Sequence, residues 1–532
     1  FGSIDSLTRA MGDVSFDHQG RRIQGMRMQN TGDVYAVNGW EAMPYDNHSG
    51  IVDIYRNCKG NPSTFTYYTQ PLYVAVSPRT QFVHLPGKVP VDFYIVNEKN
   101  LSGKYRLSVS VCTPDGKEGK HIEKEVHITG GDCFGQLLLE NCQLAIEGAS
   151  GLYQVKAQLR NTSGHLCAEG KDEVLGIYWD EKQLKGKGAL YGTPDDPVAT
   201  FYQKATGCEL PAFRSDMEKL DWIVVTRSSL DAPQPVPVEA FCQKEGKSVL
   251  ELSLYKDDDL RTLAGVTQDN KIDRTFADGA QPDPLLPANQ SFSAIWDGKL
   301  KAPQSGTYMI GVTSDQGMRL SVNGQRIVDE WRNNKELTVV RPFLLKAGDE
   351  VAVRVEYSQR NPTGSVQLVW SLPDHAAIAP QELLDRVRED GTSLLLLKSA
   401  ESWMDAVSAY TGSAYHGYYS VGKNWVGGVH FVKEHPLFNG LPVNVAMGWP
   451  YQALVRNGDR RLGLHIDNEE LVAGSYSSAP FNLGSAVGII SCGKGKIYYS
   501  TLDLVDNLNN PAAAADVARK LFCNFILLSK DR

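Results

Sequence analysis

The chain has 532 residues, several times the usual domain size, so about three or four domains are expected, each able to bury its own core. With 42% hydrophobic and 22% charged residues the composition is ordinary for a globular protein, and no apolar run reaches the ~18 residues of a membrane helix. A net charge of −8 without a basic stripe excludes nucleic acid as a natural partner and favours neutral ligands.

The sequence opens on Phe1, with neither a methionine nor a charged-then-apolar leader, so a cut front is expected and any address label lies outside it. Nine cysteines are too sparse for a disulfide scaffold. Cys112 in "YRLSVSVCT" and Cys523 in "KLFCNFILL" read as small buried hydrophobes. There is no CxxC pair, so structural zinc has no support, and neither a metal nor a cofactor is expected.

In chain order, the first feature is "VYAVNGWEAMPYDNHSG", Val34 to Gly50. It is a short apolar strand ending in an indole, two carboxylates, a tyrosine and a histidine. From Pro71 the pattern becomes period-two strands broken by turn residues, as in "LYVAVSPRT", "VPVDFYIVNEKNLSG" and "GLYQVKAQLRNTSG". Alternation with turns every eight to twelve residues or so predicts an antiparallel, immunoglobulin-like β-sandwich over 71–178.

An α/β rhythm follows over 179–246, with a helix in "DPVATFYQKATG" and a strand in "LDWIVVT", and then Pro233, Pro235 and Pro237 crowd a linker. Residues 247–377 are again β-rich. The α/β rhythm resumes over 378–532 with "PQELLDRVREDG", whose Leu383, Leu384 and Val387 recur at helical spacing, then the strand "SLLLLKS" and the helix "ESWMDAVSAYTG". The simplest architecture is one α/β domain interrupted by an inserted β domain.

The inserted stretch "SGTYMIGVTSDQGMRLSVNG" resembles the PA14 domain, a β-barrel module of carbohydrate-active enzymes, adhesins and toxins. It has the acidic-glycine turn, Asp315 to Gly317, and a strong hairpin signal at Asn323-Gly324. In sugar-binding members an adjacent aspartate pair holds calcium. Here the turn reads Asp315-Gln316, so the pair is not met at that point, and a structural role and sugar binding both stay open.

The resumed α/β part, ending in "GSAVGIISCGKGKIYYSTLDL…AADVARKLFCNFILL", resembles the glutamine-amidotransferase-like (flavodoxin-like) domain that follows the catalytic domains of some glycosidases. A working amidotransferase needs a cysteine on a strand-to-helix elbow. After "SLLLLKS" come Ser399 and Ala400, and Cys492 lies in a Gly-rich turn between strands. The resemblance therefore implies a catalytically dead, structural domain.

With these neighbours, the run from Trp40 through Gly50-Ile51-Val52-Asp53, Arg56 and Lys59 into the sandwich resembles the rear of the catalytic (β/α)₈ barrel of family 2 glycoside hydrolases, the β-galactosidase and β-glucuronidase group. The resemblance makes 1–70 the C-terminal end of that barrel. It puts Trp40, Glu41 and Asp46 on the rim of a carbohydrate site, the indole stacking on a sugar face and the carboxylates accepting hydroxyl hydrogen bonds. Retaining glycosidases need two carboxyl groups; residues 1–33 contain no glutamate, so the catalytic pair is expected upstream of Phe1 and no catalytic residue within the chain. The segment Asn47-His48-Ser49-Gly50 lacks the lysine of the glucuronidase motif, which favours a neutral sugar such as galactose.

Two functions from different classes remain. One is the C-terminal portion of a retaining, β-galactosidase-like exo-glycosidase; the other is a non-catalytic carbohydrate-binding or adhesion protein of immunoglobulin-like and PA14 modules. By analogy either is exported, to the periplasm, the cell surface or the medium.

Overall fold

The computed structural model describes residues 3–30, 41–42, 50–192, 196–214, 217–229, 236–238, 243–244, 247–248, 250–303, 306–371, 380–421, 430–455, 461–478 and 481–530. The protein is multidomain and mostly β, and divides into two compact units, Phe1–Thr226 with Gln381–Arg532, and Arg227–Pro380. No helix among the described residues is long and apolar enough to cross a membrane.

In the first unit, the described residues of 1–70 form a long helix, one short parallel strand pair and a second helix. The helix Ile4–Gln29 starts on a capping box, in which the Ser3 and Ser6 side chains each accept from the other's backbone N–H, and it ends on Asn30 at φ 53°. Glu41–Ala42 pairs in parallel with Val52–Asp53, in the register Glu41↔Val52. The helix Ser63–Thr69 packs on the first one, with Phe16 and Phe65 edge to face at 4.7 Å.

The alternating segment forms two facing sheets. One has three strands, Leu72–Pro78, Gly87–Asn97 and Gly135–Ile146, and the other has five. Val74, Val76, Val91, Phe93 and Ile95 meet Leu107, Val109, Val155 and Leu159 in one core. That is what period-two alternation requires of a sheet buried on one face.

The α/β part is one ten-stranded mixed sheet. Gly188–Tyr191, Trp222–Val225, Ser393–Leu396 and Gly495–Ser500 run parallel, and the remaining pairings are antiparallel. "WIVV" and "SLLL" are buried at every position, as strands covered on both faces must be. The helix Pro197–Thr206 has local reasons for its bounds: Asp196 accepts the Val198 N–H at 2.8 Å, proline opens the first turn, and Gly207 at φ 74° closes the last. Trp222 pairs with Ser393, so strands on either side of the 227–380 unit are hydrogen-bonded neighbours.

Among the described residues the second unit has two large antiparallel sheets and one short strand pair, Gln243–Lys244 with Lys247–Ser248. The five-stranded sheet includes Gly306–Ser314, Leu337–Leu345 and Gly364–Ser371; the six-stranded one includes Leu250–Tyr255, Phe292–Lys301, Gly317–Val322, Gln325–Glu330 and Glu350–Gln359. Trp296, Tyr308, Met318, Tyr357 and Trp370 fill the core. Asn323 and Gly324, at φ 48° and 80°, close a two-residue hairpin in which Val322 faces Gln325, the backbone that an Asn-Gly pair favours. Val236–Pro237 pairs with Gly364–Ser371. The proline-crowded stretch before residue 247 thus contributes a strand to this unit. Proline is tolerated there because the strand lies at a sheet edge.

Cysteine burial gives a direct check on packing. Cys523 is fully buried in the helix Asp516–Leu528, and burial pushes its thiol up to about 12. Cys112 and Cys492 are also buried, whereas Cys58 and Cys208 are exposed. A thiol reagent at pH 8 is expected to label Cys58 and Cys208 in the native protein, and Cys112, Cys492 and Cys523 only after unfolding, because the thiolate is the reactive form. Peptide mass mapping reads the result, and early labelling of Cys523 would contradict this packing.

Candidate functional site

Trp40, Glu41 and Asp46 are the residues that the sequence singled out for a sugar site. Trp40 and Asp46 lie outside the described residues. Glu41 is described in its backbone alone, paired with Val52. The downstream part of the same motif is described, and its residues work structurally. The Asp53 carboxylate accepts the Tyr55 and Asn57 N–H groups at 2.8 and 2.9 Å, and the Asn57 side-chain and backbone hydrogen bonds help hold it below the usual carboxylate range against the opposing effect of desolvation. Lys59 is buried. A Cβ on Gly12 would lie 1.9 Å from the Lys59 carbonyl oxygen, so this turn is the seat on which the first helix rests.

The elbow after "SLLLLKS" is also present. Ser399 takes φ 53° and ψ 36° between the strand Ser393–Leu396 and the short helix Ala400–Trp403. The sequence placed serine there instead of cysteine. Cys492, the nearby thiol, is buried and raised, first by desolvation, which disfavours the thiolate a nucleophile needs.

A cleft of about 440 Å³ lies in the second unit, lined by Asp258, Asp259, Gln316, Trp331, Arg332, Asn333, Asn334, Arg360 and Asn361. Three turns build it. The first follows the strand Leu250–Tyr255: the Asp257 carboxylate accepts the N–H groups of Asp259, Arg261 and Thr262 at 3.0, 3.0 and 2.6 Å. These bonds, led by that from Arg261, hold its pKa down at about 2. With Asp257 fixing the turn, Asp258 and Asp259 project at the mouth; Asp258 pairs with Arg360 Nε at 3.0 Å, and Asp259 accepts the Trp331 indole N–H at 3.3 Å.

The second turn carries Trp331. The Arg319 guanidinium sits 4.4 Å from its ring centre, a cation–π contact that fixes the indole. Arg360 donates to the Trp331 carbonyl at 2.7 Å. The Asn333 side-chain amide donates to the carbonyls of Ser314, Gln316 and Lys335 at 3.1, 3.2 and 2.7 Å, and so ties this turn to the next.

The third is the Asp315-Gln316 turn. Asp315 accepts the Ser365 N–H at 2.7 Å and its hydroxyl at 3.2 Å. Gln316 is buried; its amide donates to the Thr363 carbonyl at 3.0 Å and accepts the N–H groups of Arg360 and Asn361 at 3.2 and 3.4 Å. The pair is thus a neutral amide and a carboxylate committed to Ser365, clasping the 360–365 loop. Two hard anionic oxygens facing one cation, as calcium prefers, are not what this turn presents.

Sequence reasoning looked for the acidic pair at 315–316 and missed Asp258, Asp259 and Trp331. The available signal was "YKDDDLRT" and "DEWRNNK", two polar turns with aromatic or acidic runs between strands. Nothing local says that they meet, since Asp259 and Trp331 are joined only through the fold.

Residues 246–383 match the PA14 domain family. The anti-sigma-I factor RsgI3 of Acetivibrio thermocellus is 29% identical over 117 residues, 22% of this chain and 18% of that protein, so the match spans about a fifth of the relative's length. Among solved structures, an anti-sigma factor domain-containing protein from Clostridium clariflavum is 16% identical, with a TM-score of 0.24, over 57% of this chain and 94% of the other. A β-glucosidase from Kluyveromyces marxianus in complex with glucose is 15% identical, with a TM-score of 0.22, over 42% of this chain and 29% of the other.

Proposed function

We propose that the PA14 domain is a carbohydrate-binding module and that its ligand, a neutral saccharide, enters the cleft between Asp258-Asp259 and Trp331–Asn334. The supporting observation is the convergence at one mouth of an indole, two carboxylates, side-chain amides and two guanidinium groups. An apolar ring with hydrogen-bonding groups around it suits a sugar, which offers an apolar face and a rim of hydroxyls. Asp258 and Arg360 already neutralise one another, which favours an uncharged ligand over an acidic one. Because the Asp315-Gln316 turn has one aspartate and the Asp258 and Asp259 carboxylates are engaged by Arg360 and the Trp331 indole, binding is proposed to need no calcium.

The test is an array of neutral glycans, including β-galactosides and β-glucosides, probed with the purified chain. Trp331→Ala is expected to weaken the best signal up to about tenfold, the scale of a lost aromatic contact, and the exposed Asn334→Ala to weaken it less without changing stability. Undiminished binding by Trp331→Ala would refute the assignment of the cleft.

A second reading is favoured by the ordered motif from Trp40 to Lys59 that leads into the sandwich: the module belongs to a retaining β-glycosidase of the family 2 type, with Trp40, Glu41 and Asp46 on the wall of its site. The two readings are compatible, since a sugar-binding module holds an enzyme near its substrate. Both imply an exported protein. An upstream reading frame encoding barrel strands with two strand-end glutamates would support the enzyme, and a start site near Phe1 the binder.

A further inference from the structure

We infer that the first unit carries a binding site for a divalent transition-metal ion, of which zinc is the representative, formed by His416, His465 and Asp467. The strands Tyr415–Val421 and Arg461–Ile466 pair antiparallel, with Tyr415 opposite Ile466. Between that pair and the next, His416 and Gly417 together lie opposite His465. Pairing then shifts, so that Tyr418 faces Leu464; the extra residue is Gly417, at φ 95°, a bulge of the kind that needs glycine. The two imidazoles thus meet across the strands where the ladder changes register.

Asp467 completes the set by strand periodicity. It lies two residues beyond His465 and so on the same face, diagonally across from His416. The Asp467 N–H donates to the Ala414 carbonyl at 2.9 Å, which continues the Tyr415↔Ile466 register and fixes that end of the strand. The neighbouring Leu464 and Ile466 are buried, whereas all three polar residues are exposed. The ring centres lie 4.7 Å apart, His416 Nε2 lies 2.9 Å from Asp467 Oδ1, and one ligand atom from each residue falls within 4.8 Å of the others. Ligands at roughly 2.0–2.2 Å from a tetrahedral metal sit about 3.3–3.6 Å apart, so small side-chain rotations bring the three onto one ion.

Two imidazole nitrogens and one carboxylate oxygen suit zinc, copper, nickel or cobalt, and not calcium or magnesium, which take all-oxygen shells. Binding replaces the proton shared by His416 and Asp467 with the metal, and solvent fills the open position. The ligands come from strands about fifty residues apart in sequence, so the ion would clamp the pair and stabilise the native state alone.

The experiment uses the full chain, stripped with EDTA and dialysed, titrated with zinc chloride by calorimetry and with cobalt chloride by visible absorption. One saturable equivalent is expected, with cobalt bands of low coordination number and a rise in Tm on adding zinc. His416→Ala and His465→Ala should each weaken binding more than tenfold and abolish the Tm rise, and Asp467→Asn should weaken it less. His127→Ala, at an exposed position elsewhere, should bind as wild type. The substituted side chains are exposed, so apo Tm values should match wild type. Absence of saturable binding, or binding that survives the His416→Ala, His465→Ala double variant, would overturn the site.

Discussion

Arg21→Ala is expected to cost about 3–5 kcal/mol of stability, the largest loss from any single side chain considered. Arg21 leaves the first helix and donates to both oxygens of Asp172, at 2.8 and 2.7 Å, while its Nε donates to Asp17 at 2.8 Å. The Asp172 side chain is only 5% exposed. Burial pushes this carboxyl up, and the double hydrogen bond from Arg21 opposes that push; with two carboxylates beside it, the guanidinium stays charged. Removing Arg21 leaves Asp172 buried without its counter-charge and takes away the tie between the helix and the sandwich. Replacing both partners, as Arg21→Met with Asp172→Leu, should recover much of the loss, because apolar packing often substitutes well for a buried pair. Urea midpoints measure both, and an Arg21→Ala midpoint within about 0.5 kcal/mol of wild type would show that the pair does not dock the helix.

The same helix supplies the second large effect, one substitution with opposite signs at two positions. Gly12→Ala puts a methyl group 1.9 Å from the Lys59 carbonyl oxygen and 2.4 Å from its carbon. Both are backbone atoms, so the helix must lift from its seat, at a cost of about 3 kcal/mol or more. That seat is further pinned by the Asp13 carboxylate, which accepts the Asn61 N–H at 2.6 Å. Gly25→Ala has nothing within 4 Å of the new methyl group. Alanine should therefore stabilise the helix there by about 0.5–1 kcal/mol, the intrinsic preference over glycine. Thermal midpoints moving in opposite directions are the expected result, and a neutral Gly12→Ala would mean that the helix and the 50–60 turn are not in contact.

This helix also shows where sequence reading runs out. The strands of the sandwich were legible because Leu107, Val109, Val155 and Leu159 alternate with polar residues, and "SLLL" and "WIVV" because their apolar runs are bounded and short. The helix Ile4–Gln29 was not read, because the face it buries carries Gly12, Ser15, Gly20, Gln24 and Arg27 among its apolar residues. It is held by close backbone approach and charge, neither of which has a 3.6-residue hydrophobic signature.

Long-range pairing hid the rest. The α/β rhythm on either side of the β unit was visible as composition, but the register Trp222↔Ser393 has no local signal. The cleft is a sharper case. Asp315-Gln316 was legible as a turn and as a departure from an aspartate pair, yet the groups at the mouth come from turns at 257–262 and 331–334, brought together by two sheets. His416 and Asp467 escaped for the same reason, since their meeting depends on a cross-strand register and one bulge glycine.

The most direct measurement is a calorimetric titration of the purified chain with its best neutral array glycan, run in EDTA and again with millimolar calcium, alongside Trp331→Ala. Equal affinity in both buffers and a weakening of up to about tenfold in the variant is the result the proposal predicts, with sugar on the indole and no cation between it and the carboxylates. Binding that vanishes in EDTA, or that is unchanged by Trp331→Ala, would contradict it.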